Sequence, residues 1–161
     1  MSSVIIRDIQ PGDNALIAKI IKGVLDDFGV PKTRSAYADK SLNNMYEAYN
    51  IPNAHYYVAE LNGVVLGGGG IAQLENYSGN VCELQKMYLS PQARGKGVGS
   101  LLLKACLEKA KSFGYEQCYL ETMPDMKIAQ KIYLKYGFNY IENAMGDTGH
   151  YVCPVWMIKD L

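Results

Sequence analysis

A chain of 161 residues is long enough to bury one core, and we predict a single domain over residues 1–161. Its 16 basic and 16 acidic residues cancel, so no overall positive charge recruits nucleic acid. Two histidines are too few for a convincing zinc cluster, and no signal peptide or apolar run of transmembrane length is found. We therefore expect no metal and no membrane partner. Four cysteines in apolar runs, without CxxC pairing, favour reduced core residues of a cytoplasmic protein.

The first third of the chain predicts one strand and two helices. A short strand over about residues 4–8 precedes a helix for which Asp13 is a plausible N-cap. Apolar residues then recur at helical spacing until Gly29, which closes this helix. After a connector over residues 30–34, a second helix is expected over about 37–49.

A glycine-rich hairpin comes next. The β-forming residues of 54–60 predict a strand, and Asn62-Gly63 supplies the positive backbone angles of a two-residue turn. The returning strand runs from Val64 to about residue 74 and contains four consecutive glycines at 67–70. These glycines fit a flexible or bulged strand as well as one that another backbone or a ligand approaches closely.

The apolar run over residues 81–89 predicts a central strand, which leads into residues 90–100, here named the glycine loop. Glycines at 95, 97 and 99 leave backbone N–H groups uncovered at the start of a helix over about 101–113. Such a helix N-terminus can hold a phosphate or pyrophosphate, and Arg94 and Lys96 add charge that favours this ligand. The alternative is a strand-to-helix turn that happens to be basic.

Two well-known phosphate-binding patterns do not fit the glycine loop. Lys96 is followed by glycine rather than by serine or threonine, so the P-loop pattern fails. Ser100 stands where the dinucleotide fingerprint requires its third glycine. Glu121 lies roughly where a ribose-binding acid would follow, but the failed glycine spacing disfavours a nucleotide-binding protein.

The C-terminal third predicts a parallel crossover and two further strands. A strand over residues 117–121 follows the helix, so the strand–helix–strand order implies a right-handed parallel connection. A helix over about 124–136 ends at Gly137, and strands are expected over about 138–142 and 151–158. The apolar stripe of that helix comprises Ile128, Ala129, Ile132, Tyr133 and Tyr136.

Two overlapping segments of the glycine loop share one spacing: Gln92-x-x-Gly95-x-Gly97 and Arg94-x-x-Gly97-x-Gly99. This spacing resembles the Q/R-x-x-G-x-G/A loop of the GNAT superfamily of acetyl-CoA-dependent N-acetyltransferases. Matching segments precede and follow the loop in the family's order: residues 83–89 and Ala129-x-x-x-Tyr133-x-x-x-Gly137-Phe138. The resemblance covers most of the chain, least well over residues 30–55. It implies an α/β (α+β) fold with a mixed, mostly antiparallel sheet of six or seven strands, a splayed parallel pair and about four flanking helices.

The resemblance implies acetyl-CoA as the cosubstrate, with backbone groups of Met87 and Leu89 on its pantetheine arm and the glycine loop on its pyrophosphate. The side chains of these two residues can equally be plain core residues. Met126 stands where the family often carries asparagine, which puts a side-chain contact to the cofactor there in doubt. The full set of expected cofactor-binding residues is Met87, Tyr88, Leu89, Gln92, Arg94, Gly95, Lys96, Gly97, Val98, Gly99, Ser100 and Met126.

Acetyl transfer to an amine needs a base for the amine and an acid for the leaving thiolate. By resemblance, Tyr133 is the acid, although a core aromatic on an amphipathic helix is the alternative. Glu83 is the expected base, although a solvent-facing strand residue is equally compatible, and Glu121 is a weaker alternative base. These residues predict an N-acetyltransferase, monomeric or homodimeric, that acetylates a primary amine of a small molecule or protein by direct transfer in a ternary complex. The alternative is a non-catalytic acyl-CoA-binding regulatory module, which the retention of both residues disfavours.

Overall fold

Seven strands and four α-helices make up the part of the chain that a computed structural model describes, residues 3–33 and 35–161. The strands are β1 Val4–Asp8, β2 His55–Leu61, β3 Val64–Gln73, β4 Val81–Leu89, β5 Gln117–Thr122, β6 Asn139–Ile141 and β7 Val155–Asp160. The α-helices are α1 Asn14–Asp27, α2 Met45–Tyr49, α3 Val98–Ser112 and α4 Lys127–Lys135. Short 3-10 helices cover Pro11–Asp13, Ala36–Ala38, Lys40–Asn43 and Pro91–Ala93. The start of the chain and Arg34, in the predicted 30–34 connector, lie outside the described residues.

The strands form one sheet in the order β1-β2-β3-β4-β5-β7-β6. Every neighbouring pair is antiparallel except β4 and β5, which are parallel and joined through α3 as predicted. Asn62 and Gly63 have φ of 53° and 78°, so the two-residue turn predicted between β2 and β3 is confirmed. The predicted fold class is therefore confirmed: a mostly antiparallel sheet with one parallel pair.

The parallel pair separates soon after it begins. Its ladder covers only residues 81–83 of β4 against residues 117–119 of β5, although β4 continues to Leu89 and β5 to Thr122. Beyond Glu83 the two strands diverge. A wedge therefore opens at the centre of the sheet, between the far halves of β4 and β5.

A β-bulge shapes β4 beside this wedge. Gly68 pairs with Tyr88 and Gly70 with Gln85, so two residues of β4 oppose only Gly69. Lys86, within the bulge, has a φ of 49°, which is uncommon for a residue with a side chain. A Cβ atom at Gly68 would lie 2.5 Å from the Tyr56 ring. The bulge therefore lies in β4, opposite the glycine run, and the run itself is closely approached by other residues, as one of the two sequence interpretations proposed.

Helices cover both faces of the sheet. On one face, Ile17 and Ile21 of α1 pack with α2 and with Tyr56 of β2. On the other face, Leu103, Cys106, Leu107 and Ala110 of α3 pack against β4 and β5. Fully burying an aliphatic side chain contributes roughly 1.5–3 kcal/mol, so these two apolar layers hold the sheet in place. No helix among residues 3–33 and 35–161 has the length and apolarity needed to cross a membrane.

Several predicted boundaries are wrong for local reasons. The helix predicted over 37–49 is broken into 3-10 turns and a short α2, because Asp39 is extended and Asn44 has a non-helical backbone. Asp13 precedes α1, but its carboxylate accepts hydrogen bonds from Arg7 and the Gln10 amide instead of capping the helix. The last strand begins at Val155 rather than at 151, since Pro154 has no N–H for the ladder.

The outline of α4 also differs from the prediction. The helix begins at Lys127 rather than at 124. Ile128, assigned to the apolar stripe, is 72% exposed. Tyr133 is buried, and Ala129 and Ile132 pack beside it against the core. Four of the five predicted stripe residues, Ala129, Ile132, Tyr133 and Tyr136, therefore pack against the core, and Ile128 does not.

Candidate functional site

The glycine loop ends in the N-terminus of α3, which begins at Val98, three residues earlier than predicted. Gly95 and Gly97 have φ of 75° and 71°, and Gly97 is the N-cap. The amide of Leu101 donates to the Gly97 carbonyl at 3.2 Å, so the amides of residues 97–100 have no acceptor within the helix. These amides, with the positive end of the helix dipole, form an anion-binding surface.

The glycines of the loop serve different purposes. A Cβ atom at Gly95 or Gly97 would meet nothing within 4 Å, so these positions need glycine for their backbone angles. A Cβ atom at Gly99 would lie 3.1 Å from Ile132 Cδ1, so this glycine allows α3 to approach α4. Lys96 Nζ donates to the Gln92 carbonyl at 3.0 Å, which folds the basic residue back over the loop.

An apolar channel of about 290 Å³ lies beside the far half of β4. Its walls come from α1, the end of β4, the start of α3, and α4, and its lining includes six of the expected cofactor-binding residues: Met87, Tyr88, Leu89, Arg94, Gly99 and Met126. The remaining six lie along the loop, where Val98 has its side chain in the core and offers only its backbone. An apolar channel that has Arg94 and Gly99 of the glycine loop in its lining suits an acyl-pantetheine chain with a pyrophosphate.

A polar pocket of about 450 Å³ lies on the other side of the bulge. Gln85 and Lys86 line the polar pocket, whereas the next two residues of β4, Met87 and Tyr88, line the apolar channel. Other residues that line the polar pocket are Asp39, Lys40, Tyr49, Glu75, Glu83, Thr148 and His150. The bulge therefore stands between an apolar compartment and a charged one.

Glu83 lies in the wall of the polar pocket and is only 4% exposed, so it does not face solvent. Burial raises the pKa of Glu83 to about 7. The hydrogen bond from Gln85 lowers this pKa, and the negative charge of Glu121 raises it further. Gln85 Nε2 donates to Glu83 Oε1 at 2.7 Å, and the Tyr49 hydroxyl donates to Gln85 Oε1 at 2.6 Å. A carboxylate with this pKa can accept a proton at neutral pH.

Glu121, the weaker candidate base, is held by hydroxyl groups. The Tyr119 hydroxyl donates to Oε2 at 2.6 Å, and the Thr148 hydroxyl donates to Oε1. Its side chain is only 5% exposed, and Nδ1 of His150 lies 3.9 Å from Oε1. These contacts hold the Glu121 side chain in place next to Glu83.

His150 and Asp39 join two distant segments over the polar pocket. His150 Nε2 lies 2.9 Å from Asp39 Oδ1, and Lys86 Nζ lies 2.9 Å from Asp39 Oδ2. Burial alone would lower the pKa of His150, but the hydrogen bond and charge of Asp39 hold that pKa above its ordinary value. Burial would raise the pKa of Asp39, yet His150 and Lys86 together hold it below its ordinary value.

The structure places Tyr133 close to the apolar channel but not in its lining. The neighbouring Ile132 lines the channel, while the Tyr133 ring is buried against Phe138 with ring centroids 5.8 Å apart. Burial raises the pKa of Tyr133 far above neutrality, so the phenol carries its proton. Tyr88 lies in the channel lining, and burial raises the pKa of its hydroxyl, with smaller contributions from Tyr133 and Glu83.

One oxygen each of Glu83 and Glu121 and one nitrogen of His150 lie within 4.8 Å of one another. Hydrogen bonds from Gln85, Tyr119 and Thr148 already engage the two carboxylates, and Asp39 engages the imidazole. The three groups therefore form an acid–base cluster whose members make their hydrogen bonds to surrounding residues rather than to one another. The absence of a metal cofactor stays a prediction.

Sequence reasoning missed the residues that reach the site through tertiary contacts. Asp39 and His150 are 111 positions apart, and neither belongs to a motif. The one local signal was the polar pair Gln85-Lys86 within an otherwise largely apolar strand, which coincides with the bulge. A break of this kind in a central strand indicates that its side chains leave the regular alternation.

Comparison with known proteins gives a consistent result. The model of the acetyltransferase (GNAT) family matches residues 19–138. The uncharacterised N-acetyltransferase YjgM of Escherichia coli K12 is 39% identical over 160 residues, which cover 99% of this chain and 96% of that protein. A GNAT-family acetyltransferase structure from Staphylococcus aureus Mu50 covers 99% of both chains at 20% identity with a TM-score of 0.86. A phosphinothricin acetyltransferase from Sinorhizobium meliloti, in complex with AcCoA, covers 98% of this chain and 88% of its own at 21% identity with a TM-score of 0.79.

Proposed function

Because the chain belongs to the GNAT family of acetyltransferases, we propose that it transfers the acetyl group of acetyl-CoA to the primary amine of a small polar molecule in a ternary complex. The observation that carries this proposal is the bulge of β4, which separates the apolar channel from the polar pocket. A thioester entering from one side and an amine entering from the other would meet there. Direct transfer needs this approach from opposite sides.

The glycine loop would hold the pyrophosphate of acetyl-CoA. The free amides of residues 97–100 supply donors, and Arg94 at the channel mouth supplies charge. The apolar channel would take the pantetheine arm, with backbone groups of Met87 and Leu89 beside it. Met126 would contribute only apolar contact, because Thr122 Oγ1 approaches its sulfur within 3.5 Å.

Glu83 would act as the base that neutralises the acceptor's ammonium group. Its pKa of about 7 matches a base that works near neutral pH, and it lies in the wall of the pocket where the amine would bind. Tyr133 would donate a proton to the leaving thiolate of coenzyme A. Its raised pKa keeps the phenol protonated for this purpose. Tyr88, in the channel lining and electrostatically coupled to both residues, is the alternative acid.

The polar pocket supports a small, polar acceptor. Its volume of about 450 Å³ lies within the range of small-molecule sites. Its walls carry both signs of charge, since Lys40 and Lys86 line it together with Glu75 and Glu83. An amine that also bears an acidic group would find partners for both of its charges there.

The experiment that tests the proposed function is a panel of amines assayed for free thiol release from acetyl-CoA. Amino acids and aminoalkyl acids are compared with amines of the same length that lack the acidic group. We expect acceptor-dependent thiol release, highest for the acidic amines. Binding of acetyl-CoA without acceptor-dependent release by any amine would instead favour a non-catalytic binding module.

A further inference from the structure

The polar pocket is not polar on every side. Its lining also contains five apolar residues, here named the apolar strip, from α2, from the segment before β2 and from β3: Ala48, Ile51, Pro52, Ala54 and Ala72. Ile51 is 56% exposed, so an apolar group of a bound molecule would cover it and remove it from water. The acceptor that fills this pocket therefore has an apolar surface to contact as well as charges.

The apolar strip begins beside the candidate base. Ala72 of β3 pairs with Glu83 of β4, and paired residues of neighbouring strands have their side chains on the same face. His55 pairs with Ile71, so the same register brings Ala54 opposite Ala72. Because neighbouring strands lie about 4.7–4.9 Å apart, the strip extends from Glu83 across roughly 10 Å of the sheet. Alanines at both positions leave room above the sheet for the side chain of an acceptor.

The charged residues of the pocket come from β4, from the loop before β7 and from the segment of the 3-10 helices. Lys86 Nζ and His150 Nε2 share one counter-ion, since each lies 2.9 Å from an oxygen of Asp39. Lys40, the residue after Asp39, lines the pocket as well. In the part of the chain that the structure describes, no carboxylate forms an ion pair with Lys40. Its charge is therefore available to a carboxylate of the acceptor.

We propose that the acceptor is an α-amino acid with an apolar side chain, and that Lys40 and Ile51 select it. This inference rests on the proposed function and names the class of its acceptor. The ammonium group lies at Glu83, the carboxylate pairs with Lys40, and the side chain lies along the apolar strip. An α-amino acid carries these three groups on one carbon atom, and the base, the cation and the strip come from different elements around one pocket.

The same lining disfavours other acceptors. An amino acid with an acidic side chain would meet the like charge of Glu75, which also lines the pocket. An amine without a carboxylate leaves Lys40 without a partner. The N-terminus of a peptide has an amide in place of the carboxylate, so it gives Lys40 no opposite charge either.

The test measures kcat/KM for leucine and three analogues by thiol release from acetyl-CoA. Alanine shortens the side chain, isoamylamine lacks the carboxylate, and leucinamide replaces the carboxylate by a neutral amide, as in a peptide. We expect leucine to exceed alanine about 10- to 100-fold, because apolar pockets discriminate between side chains to this degree. Leucine should exceed isoamylamine and leucinamide by about 10-fold, because both lack the charge-assisted hydrogen bond.

Two variants assign each preference to its residue. Ile51→Ser should reduce the preference for leucine over alanine about 3- to 10-fold and keep the preference for leucine over isoamylamine. Lys40→Met keeps most of the side chain without its charge and should show the opposite pattern. The matched controls are Ile5→Ser, at a 50%-exposed position of β1, and Lys104→Met, at an exposed position of α3. Neither control residue lines the pocket, so both controls should keep the wild-type preferences.

All four substituted side chains are exposed, so each variant should keep the fold. Wild-type turnover of leucine that is no better than that of alanine, or no better than that of isoamylamine, would overturn this inference and leave the proposed function standing. Preferences that are unchanged in both pocket variants would overturn the roles of Lys40 and Ile51. Absence of thiol release with every amine would instead overturn the proposed function and this inference with it.

Discussion

The glycine loop and the polar pocket lie on opposite sides of the same bulge but are built in different ways. The loop offers backbone amides from one continuous segment, residues 90–100, at the start of α3. The pocket offers side chains from segments that are far apart in the chain, such as Asp39, Glu83 and His150. One site is a property of local backbone geometry, and the other is a property of packing.

This difference separates the effects that substitutions should have. A change in the loop alters backbone angles and should reduce cofactor affinity without altering proton transfer. A change in the pocket alters buried charges and should reduce turnover, or shift its pH dependence, without altering cofactor affinity. The predictions below test that separation.

The largest effect is expected for Glu83→Gln. Loss of the base should lower turnover by about 100- to 10,000-fold at pH 7, since this is the usual contribution of a positioned acid or base. Affinity for coenzyme A, measured by titration calorimetry, should stay at the wild-type value because the glycine loop is unchanged. Near-normal turnover would show that another group accepts the amine's proton.

Stability provides the control for this variant. Glu83 has a folded pKa of about 7 against 4.5 for a free glutamate, so it destabilises the folded protein as pH rises between these values. Glutamine has no charge to bury, so the variant should have a free energy of unfolding at pH 8 that is higher by up to about 3 kcal/mol. At pH 4 the two proteins should be equally stable. Urea unfolding at both pH values measures the difference, and a less stable variant at pH 8 would contradict the assigned burial penalty.

Tyr133→Phe tests the junction between the two sites. The ring and its contact with Phe138 remain, so folding and coenzyme A affinity should change little. Turnover should fall by roughly 100- to 10,000-fold with chemistry rate-limiting, while the acceptor's KM stays near the wild-type value. Tyr88→Phe is the matched comparison. If that variant alone loses turnover, Tyr88 is the acid and Tyr133 is a core aromatic.

Gly97→Val should affect the loop and spare the pocket. Gly97 has a φ of 71°, which a β-branched residue adopts at a cost, so we expect affinity for coenzyme A to fall about 10- to 100-fold. Gly114→Val is the matched control at the other end of α3, with a φ of 87° and equally open space. It should lose similar stability and keep its affinity. Equal loss of affinity in both variants would show a general effect of backbone strain.

The smallest effect is expected for the two aspartate–histidine pairs, compared by thermal unfolding. Asp39→Asn leaves the 7%-exposed Lys86 without its counter-ion and should lower the free energy of unfolding by about 1–2 kcal/mol. Asp8→Asn breaks the pair with His55, where Asp8 is 72% exposed, and should cost less than about 1 kcal/mol. Equal costs would show that burial does not distinguish the two pairs.

Much of the fold and of the loop could be predicted from sequence because neighbouring residues decide them. Asn62-Gly63 fixes a hairpin turn through its own backbone angles, and the glycines of the loop fix the start of α3 in the same way. The apolar run of β4 and the helical spacing of α3 were equally clear. These features depend on chain geometry that operates over a few residues.

Tertiary structure alone decided the chemistry of the pocket. The sequence named Glu83 but left open whether it faced solvent, because alternation along a strand does not show what covers each face. The broken segment around Asp39 and the bulge at Lys86 bring these two residues to His150, and no local pattern encodes that meeting. The pKa values follow from burial and from charges on other segments, which exist only once the sheet and the loop before β7 have packed together.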